Sequence, residues 1–227
     1  MAECRLDHLQ PTLTNQLDCA ERNKCTGKSC NNCDGACLCD NFWIIEAGGA
    51  NYLDLSFVDD VLPEIIQRHL QFKDDITQRA VQIISETAKK KTDTSQDNIV
   101  FVGVHVRRTD FHEYSKFWMP QLLNETFFEA AMDHFRSKYY SSSVAFLVLS
   151  DDQEWCKQHL RASDVYHVST PDPEVDMAIM ANCNASIIDY GTFGMWGAIL
   201  AGGETVTSRE TFRDVRWAAD HFGWTYV

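Results

Sequence analysis

Residues 176–206, DMAIMANCNASIIDYGTFGMWGAILAGGETV, decide the fold. The segment opens in a helical pattern that starts at Pro173 and ends near Asn182. Residues 186–188 follow as a short apolar strand. Residues 193–201 form a second helix and 204–207 a second strand. Apolar strands separated by helices are covered on both faces, which is the pattern of a parallel sheet.

The alternation continues outward from this stretch. Upstream, 99–106, 145–149 and 165–168 read as strands, and 125–139 and 153–159 as helices. Phe127, Phe128, Ala131, Met132 and Phe135 share one face of the first of these helices. Downstream, 211–222 reads as a last helix. The class is α/β, a parallel sheet with helices on both faces. In such sheets ligands bind beyond the carboxyl ends of the strands, near helix N-termini.

Before residue 99 the pattern differs. Val58, Val61, Leu62, Ile65, Ile66 and Leu70 recur at helical steps and predict a helix over 57–71. Ile76, Ala80, Ile83, Ile84 and Ala88 predict a second over 73–91, closed by Lys89–Lys91 with the sign that suits a helix C-terminus. Residues 92–98, TDTSQDN, are a polar linker. Seven of the nine cysteines precede residue 40, in a stretch with no apolar period, so residues 1–41 are expected to be loop or small irregular structure. Trp43, Ile44 and Ile45 begin an apolar segment ending at Gly48-Gly49. The expected organisation is a Cys-rich stub (1–41), a helical approach (42–98) and a sheet domain (99–227).

Composition bounds the function. The chain has 227 residues, 33 acidic and 20 basic, a net charge of −13. That balance argues against a nucleic-acid partner, which requires a surplus of Lys and Arg on one surface. No apolar run approaches the roughly 20 residues needed to span a membrane. The first ten residues, MAECRLDHLQ, lack the apolar core of a signal peptide.

Three groups of residues carry chemistry. The first is His105-Val106-Arg107-Arg108-Thr109-Asp110, where the first strand of the sheet ends. Adjacent guanidinium groups at a strand end suit a diphosphate, because each carries a permanent charge and a planar fork of donors. A structural salt bridge is the other reading. The second is Gly191-Thr192-Phe193-Gly194, between a strand and a helix. Small residues and a hydroxyl there make an anion site at the helix N-terminus, or a plain N-cap. The third is Asp151-Asp152 after AFLVL, suited to a ribose or base, or to capping the next helix. There is no Asp-x-Asp, His-x-x-x-His or Walker-type loop, so a metal is a poor reading of these three groups.

These elements, in this order, resemble galactoside 2-α-L-fucosyltransferases, glycosyltransferase family 11. FVGVHVRRTDF (101–111), FLVLSDDQEWCKQHL (146–160), residues 176–206 and the closing WTYV carry the resemblance. The His-x-Arg-Arg-x-Asp element is shared with α-1,6- and protein O-fucosyltransferases, and GTFGMWGAILAGG points to the 2-α family. The resemblance implies a GT-B-like architecture whose later, Rossmann-like half holds GDP-β-L-fucose. It implies inverting transfer to a galactose 2-hydroxyl of a glycan, with no metal and no cofactor beyond the donor. Arg107 and Arg108 would meet the diphosphate, with His105 and Asp110 shaping their loop. Gly191, Thr192, Phe193 and Gly194 would line phosphate and fucose. Asp151, Asp152 and Asp176 are candidates for the nucleoside end, and Asp110, Glu113 or a residue of the missing half for the catalytic base.

The resemblance also shows departures. Members carry a G-x-L-G-N-Q element and a membrane anchor, and residues 1–98 match neither. The acceptor-side half is therefore expected to be partial, and membrane association to need an anchor absent from this chain. A catalytically inactive GDP-sugar-binding remnant is the alternative function, as is an α-1,6 or protein-O class of fucosyltransferase. The family's compartment is the Golgi lumen. There the cysteine cluster would form disulfides; in a reducing compartment Cys30, Cys33, Cys37 and Cys39 could bind zinc; an unstructured extension is the third reading. The sequons at Asn124 and Asn184 fit a secretory route, with Asn124 expected in an open loop and Asn184 near the core.

Overall fold

The computed structural model describes two short strands at 36–39 and 42–45, Ile66, and residues 70–91, 98–111 and 122–227. The chain divides into two units, Met1–Pro63 and Glu64–Val227.

In the first unit, β1 (Ala36–Cys39) pairs antiparallel with β2 (Phe42–Ile45), Cys39 standing opposite Phe42. This corrects the expectation of loop for this part of the cysteine-rich segment. Backbone pairing with the apolar run Phe42–Ile45 supplies hydrogen bonds that no side-chain period in ACLC announces. The other cysteines of the cluster lie outside the described residues.

The second unit is built on a six-stranded sheet. Its strands are β3 (Ile99–Val106), β4 (Ser143–Ser150), β5 (Val165–His167), β6 (Ala185–Ile188), β7 (Glu204–Thr207) and β8 (Thr225–Tyr226). The spatial order is β5-β4-β3-β6-β7-β8, and every pairing is parallel. The α/β class and parallel sheet expected from the alternation are what is observed. β8 adds an edge strand from WTYV, a segment too short to show a period.

Helices cover both faces, as the apolar strands require. Val102, Val104 and Val106 of β3 point to one face. There they pack with Phe127, Phe128, Ala131, Met132 and Phe135 of α2 (Glu125–Lys138) and Cys156 of α3 (Gln153–His159). The opposite face meets α1 (Asp74–Lys91), α4 (Pro173–Ala181), α5 (Gly191–Ala201) and α6 (Arg213–Phe222). Ile179, Met180, Met195 and Ala198 form the centre of that layer. α1, read from sequence as part of the segment 42–98, packs against α4. The helix expected over 57–71 lies almost wholly outside the described residues. Of it, Ile66 is described in helical conformation, and Leu70 and Gln71 are described outside any helix. No described helix is long and apolar enough to cross a membrane.

Asn124 caps α2, its side-chain oxygen accepting the Thr126 N–H at 3.2 Å. Asn184, expected near the core, is exposed. Its Oδ1 accepts the Phe101 N–H at 2.8 Å at the amino end of the sheet, where the strands emerge from their covering helices.

Candidate functional site

The carboxyl ends of three neighbouring strands deliver the expected site residues to one place. His105 stands opposite Leu149 in β4 and Ile188 in β6, and Val106 opposite Ser150. Segments 107–110, 151–152 and 189–194 therefore leave the sheet side by side. From β3 the chain moves outward to β4 and β5, then returns to β6 on the other side of β3. α2 and α5 accordingly lie on opposite faces, and the strand order reverses at β3, the kind of place where open α/β sheets bind their ligands.

The arginine loop is tied down by carboxylates. The Arg107 N–H donates to Asp189 Oδ2 at 2.8 Å. The N–H groups of Arg108 and Thr109 donate to the two oxygens of Asp151 at 2.8 and 3.2 Å, and the Thr109 hydroxyl donates to Asp151 at 2.6 Å. Three successive backbone donors are thus occupied. Asp151, a candidate for the nucleoside end, fastens this loop. Asp152 caps α3 through the Trp155 N–H at 3.0 Å.

The two arginines have different surroundings. The Arg107 guanidinium is 36% exposed; it donates to Asp110 Oδ2 at 2.7 Å and lies 3.4 Å from Asp151. Asp110 is 69% exposed, so an incoming phosphate can displace it from Arg107 at small cost. Arg108 is turned inward. Its guanidinium sits 3.8 Å from the centre of the Trp155 ring and donates to the Leu123 carbonyl at 3.3 Å. The Arg107 guanidinium is thus open to solvent beside Asp110, and that of Arg108 packs against Trp155.

His105 is 6% exposed, on the face of β3 that α5 covers. Its ring stacks on Phe193, with centroids 5.4 Å apart. Gly194 comes so close that a Cβ there would lie 2.7 Å from His105 Nδ1. That nitrogen faces Asp189 Oδ1 at 3.5 Å.

Asp189 is the residue that sequence reasoning passed over, as the last polar letter of SIID. It is 1% exposed. Besides the Arg107 N–H it accepts the Tyr190 N–H at 2.6 Å, and its backbone carbonyl accepts the Thr211 hydroxyl at 2.6 Å. Burial pushes its carboxyl above the usual range, while His105 and the two N–H groups pull it back. The available signal was a charged residue at the end of a buried strand, which needs a partner.

α5 begins at Gly191 (φ +81°), two residues before the expected start, and Thr192 lies within its first turn. The plain N-cap reading of Thr192 is therefore corrected: the cap position is Tyr190, and it supplies no side-chain bond. The Tyr190 hydroxyl accepts the Leu123 N–H instead, at 2.7 Å, and its ring stacks on Phe111. Thr192 is exposed and Phe193 half-buried. A helix N-terminus with no side-chain cap favours an anion. Asp176, in the first turn of α4, accepts the Thr170 hydroxyl at 2.7 Å. Burial raises its carboxyl, opposed by Thr170 and by His105. Glu113 lies outside the described residues. Among the described residues no three His, Cys, Asp or Glu side chains gather as a metal would require.

The family model of glycosyl transferase family 11 matches residues 55–227. Galactoside 2-alpha-L-fucosyltransferase Sec1 of Mus musculus is 42% identical over 112 residues, covering 47% of this chain and 30% of that protein. Galactoside alpha-(1,2)-fucosyltransferase 2 of Bos taurus is 39% identical over 112 residues, covering 47% of this chain and 32% of that protein. The matched part thus spans about a third of the length of these curated relatives. Among solved structures, NodZ alpha-1,6-fucosyltransferase co-crystallized with GDP is 18% identical with TM-score 0.37, over 56% of this chain and 42% of that one. POFUT1 in complex with GDP is 13% identical with TM-score 0.39, over 69% of this chain and 46% of that one. At these scores the description of the fold rests on the sheet itself.

Proposed function

Because the chain belongs to glycosyl transferase family 11, we propose that it transfers L-fucose from GDP-L-fucose to the 2-hydroxyl of a terminal galactose on a glycan. The transfer inverts the sugar configuration and uses no metal ion or other cofactor. One observation carries this reading: Arg107 and the uncapped N-terminus of α5 stand together where the strand order reverses.

The chemistry follows from charge. As the bond from fucose to the diphosphate breaks, the sugar gains oxocarbenium character and negative charge grows on GDP. Arg107 offers a permanent cation with two donors on one plane. α5 offers backbone N–H groups fixed before the reaction begins. Donors that need no reorganisation lower the barrier most. The backbone donors of the arginine loop are occupied by Asp151 and Asp189, so the diphosphate meets the guanidinium and the helix. Phe193 stacked on His105 forms an apolar wall beside the same helix start. The names of the mouse and bovine relatives support galactose as acceptor. The Golgi lumen is the proposed compartment, and two exposed sequon asparagines, Asn124 and Asn184, fit that route.

The test is transfer from GDP-fucose to a β-galactoside in the presence of a metal chelator. Arg107→Ala should lower turnover by about 10²–10³ with the circular dichroism spectrum unchanged. Unchanged turnover would remove Arg107 from the site. A product linked anywhere but the galactose 2-position would overturn the acceptor assignment. GDP binding without transfer to any acceptor would mark the chain as a donor-binding unit alone.

A further inference from the structure

We propose that Asp189 is the positioning residue that sets the distance between the two anion-binding groups, the Arg107 loop and the N-terminus of α5. This rests on the donor-binding reading above. One carboxylate oxygen of Asp189 holds the Arg107 N–H at 2.8 Å, and the other holds the Tyr190 N–H at 2.6 Å. Arg107 begins the cationic loop, and Tyr190 is the residue from which α5 starts. A single side chain therefore bridges two segments 82 residues apart in sequence.

The Thr211 hydroxyl bonds the Asp189 backbone carbonyl and makes no bond to the carboxylate. His105 closes the remaining side of the carboxylate at 3.5 Å. His105 in turn lies against Phe193 and Gly194 of α5. Burying a carboxyl this deeply is a poor route to stability, since well-packed apolar groups often serve a core as well or better. Its geometric effect is specific. Two acceptors on one planar group fix two donors at a set spacing, and a neutral amide of the same shape cannot do so. In Asn one acceptor becomes an NH₂, which would face another N–H.

The experiment uses the full chain, with Asp189→Asn compared against Thr211→Val. The valine variant loosens the same spot without touching the carboxylate. GDP affinity is measured by calorimetry, and hydrogen exchange by mass spectrometry on peptides covering 107–110 and 190–194. Asp189→Asn should bind GDP roughly tenfold to a hundredfold more weakly and exchange faster in both peptides. Thr211→Val should lower the melting temperature and keep its GDP affinity. Wild-type affinity in Asp189→Asn, or an equal loss in Thr211→Val, would overturn the proposal. If the wild-type chain binds no GDP, the donor-binding reading falls. Exchange then decides the clamp alone: faster exchange in Asp189→Asn upholds it and unchanged exchange ends it. Should the amide variant lose its fold, Asp189→Ser is read by the same outcomes.

Discussion

His105 occupies the space that a side chain at Gly194 would need. A Cβ on Gly194 would lie 2.7 Å from Nδ1, 3.0 Å from Cγ and 3.3 Å from Cβ of the imidazole. The histidine cannot withdraw, because it is buried in β3 between Asp189 and Phe193. The contact is what lets the first turn of α5 reach the end of β3.

Gly194→Ala should therefore push α5 away from His105. Overpacking of this kind costs about 1–3 kcal/mol. Thermal unfolding reads the stability loss, and calorimetry with GDP reads the displaced helix start. A variant with wild-type values in both would show that the histidine yields.

Asp151 and Asp152, adjacent in sequence, should separate in experiment. Asp151→Asn loosens the bonds to the Arg108 and Thr109 N–H groups and should weaken GDP binding with little change in helix content. Asp152→Ala removes the cap on α3 and should cost about 1 kcal/mol of stability while GDP affinity stays near wild type. The reverse ranking would contradict the assignment of the two carboxylates.

The arginines should differ in the same way. Arg108→Lys keeps the charge and loses the planar contact with Trp155, a change worth about 1 kcal/mol of stability. Its effect on turnover should be far smaller than that of Arg107→Ala. Denaturant unfolding and steady-state kinetics on the two variants decide this. Equal losses of turnover would place Arg108 on the ligand after all.

Glu204 provides a pH test away from the site. Burial alone would raise its carboxyl, but hydrogen bonds from Lys138 and His134 outweigh that and hold it below the usual glutamate value. A depressed folded value stabilises the protein above the unfolded pKa, and the contribution is lost as pH falls through the folded one. Stability should therefore drop through the acid range below the ordinary glutamate value, and Glu204→Gln should flatten that slope. Chemical denaturation at a series of acid pH values measures it. An identical slope in the variant would mean that the contact between α2 and β7 carries no net weight.

Much of the site is legible in the sequence. The strand ends and helix starts near His105–Asp110, Asp151-Asp152 and Gly191–Gly194 follow from runs of apolar residues broken by polar ones, and the sheet gathers them. The roles were less legible. Arg107 and Arg108 are chemically identical letters, and only Trp155 and Leu123, brought in by α3 and the segment before α2, turn one of them inward. Thr192 looked like a cap, yet α5 starts earlier, at a glycine whose positive φ suits the turn out of β6. Asp189 was hidden in an apolar run because the loop it fastens, at Arg107, stands 82 residues away in sequence.

By itself the sequence determined the class and the order of elements, because burial on two faces writes apolar strands and helical periods directly into the chain. It also determined that any anion must be met locally, since a net charge of −13 opposes it everywhere else. The tertiary structure alone decided the strand order β5-β4-β3-β6-β7-β8, and with it which loops meet. It alone decided that the carboxylates of Asp151 and Asp189 hold the arginine loop. Hydrogen bonds between distant segments depend on spacings of a few tenths of an ångström, and no local pattern of residues records them.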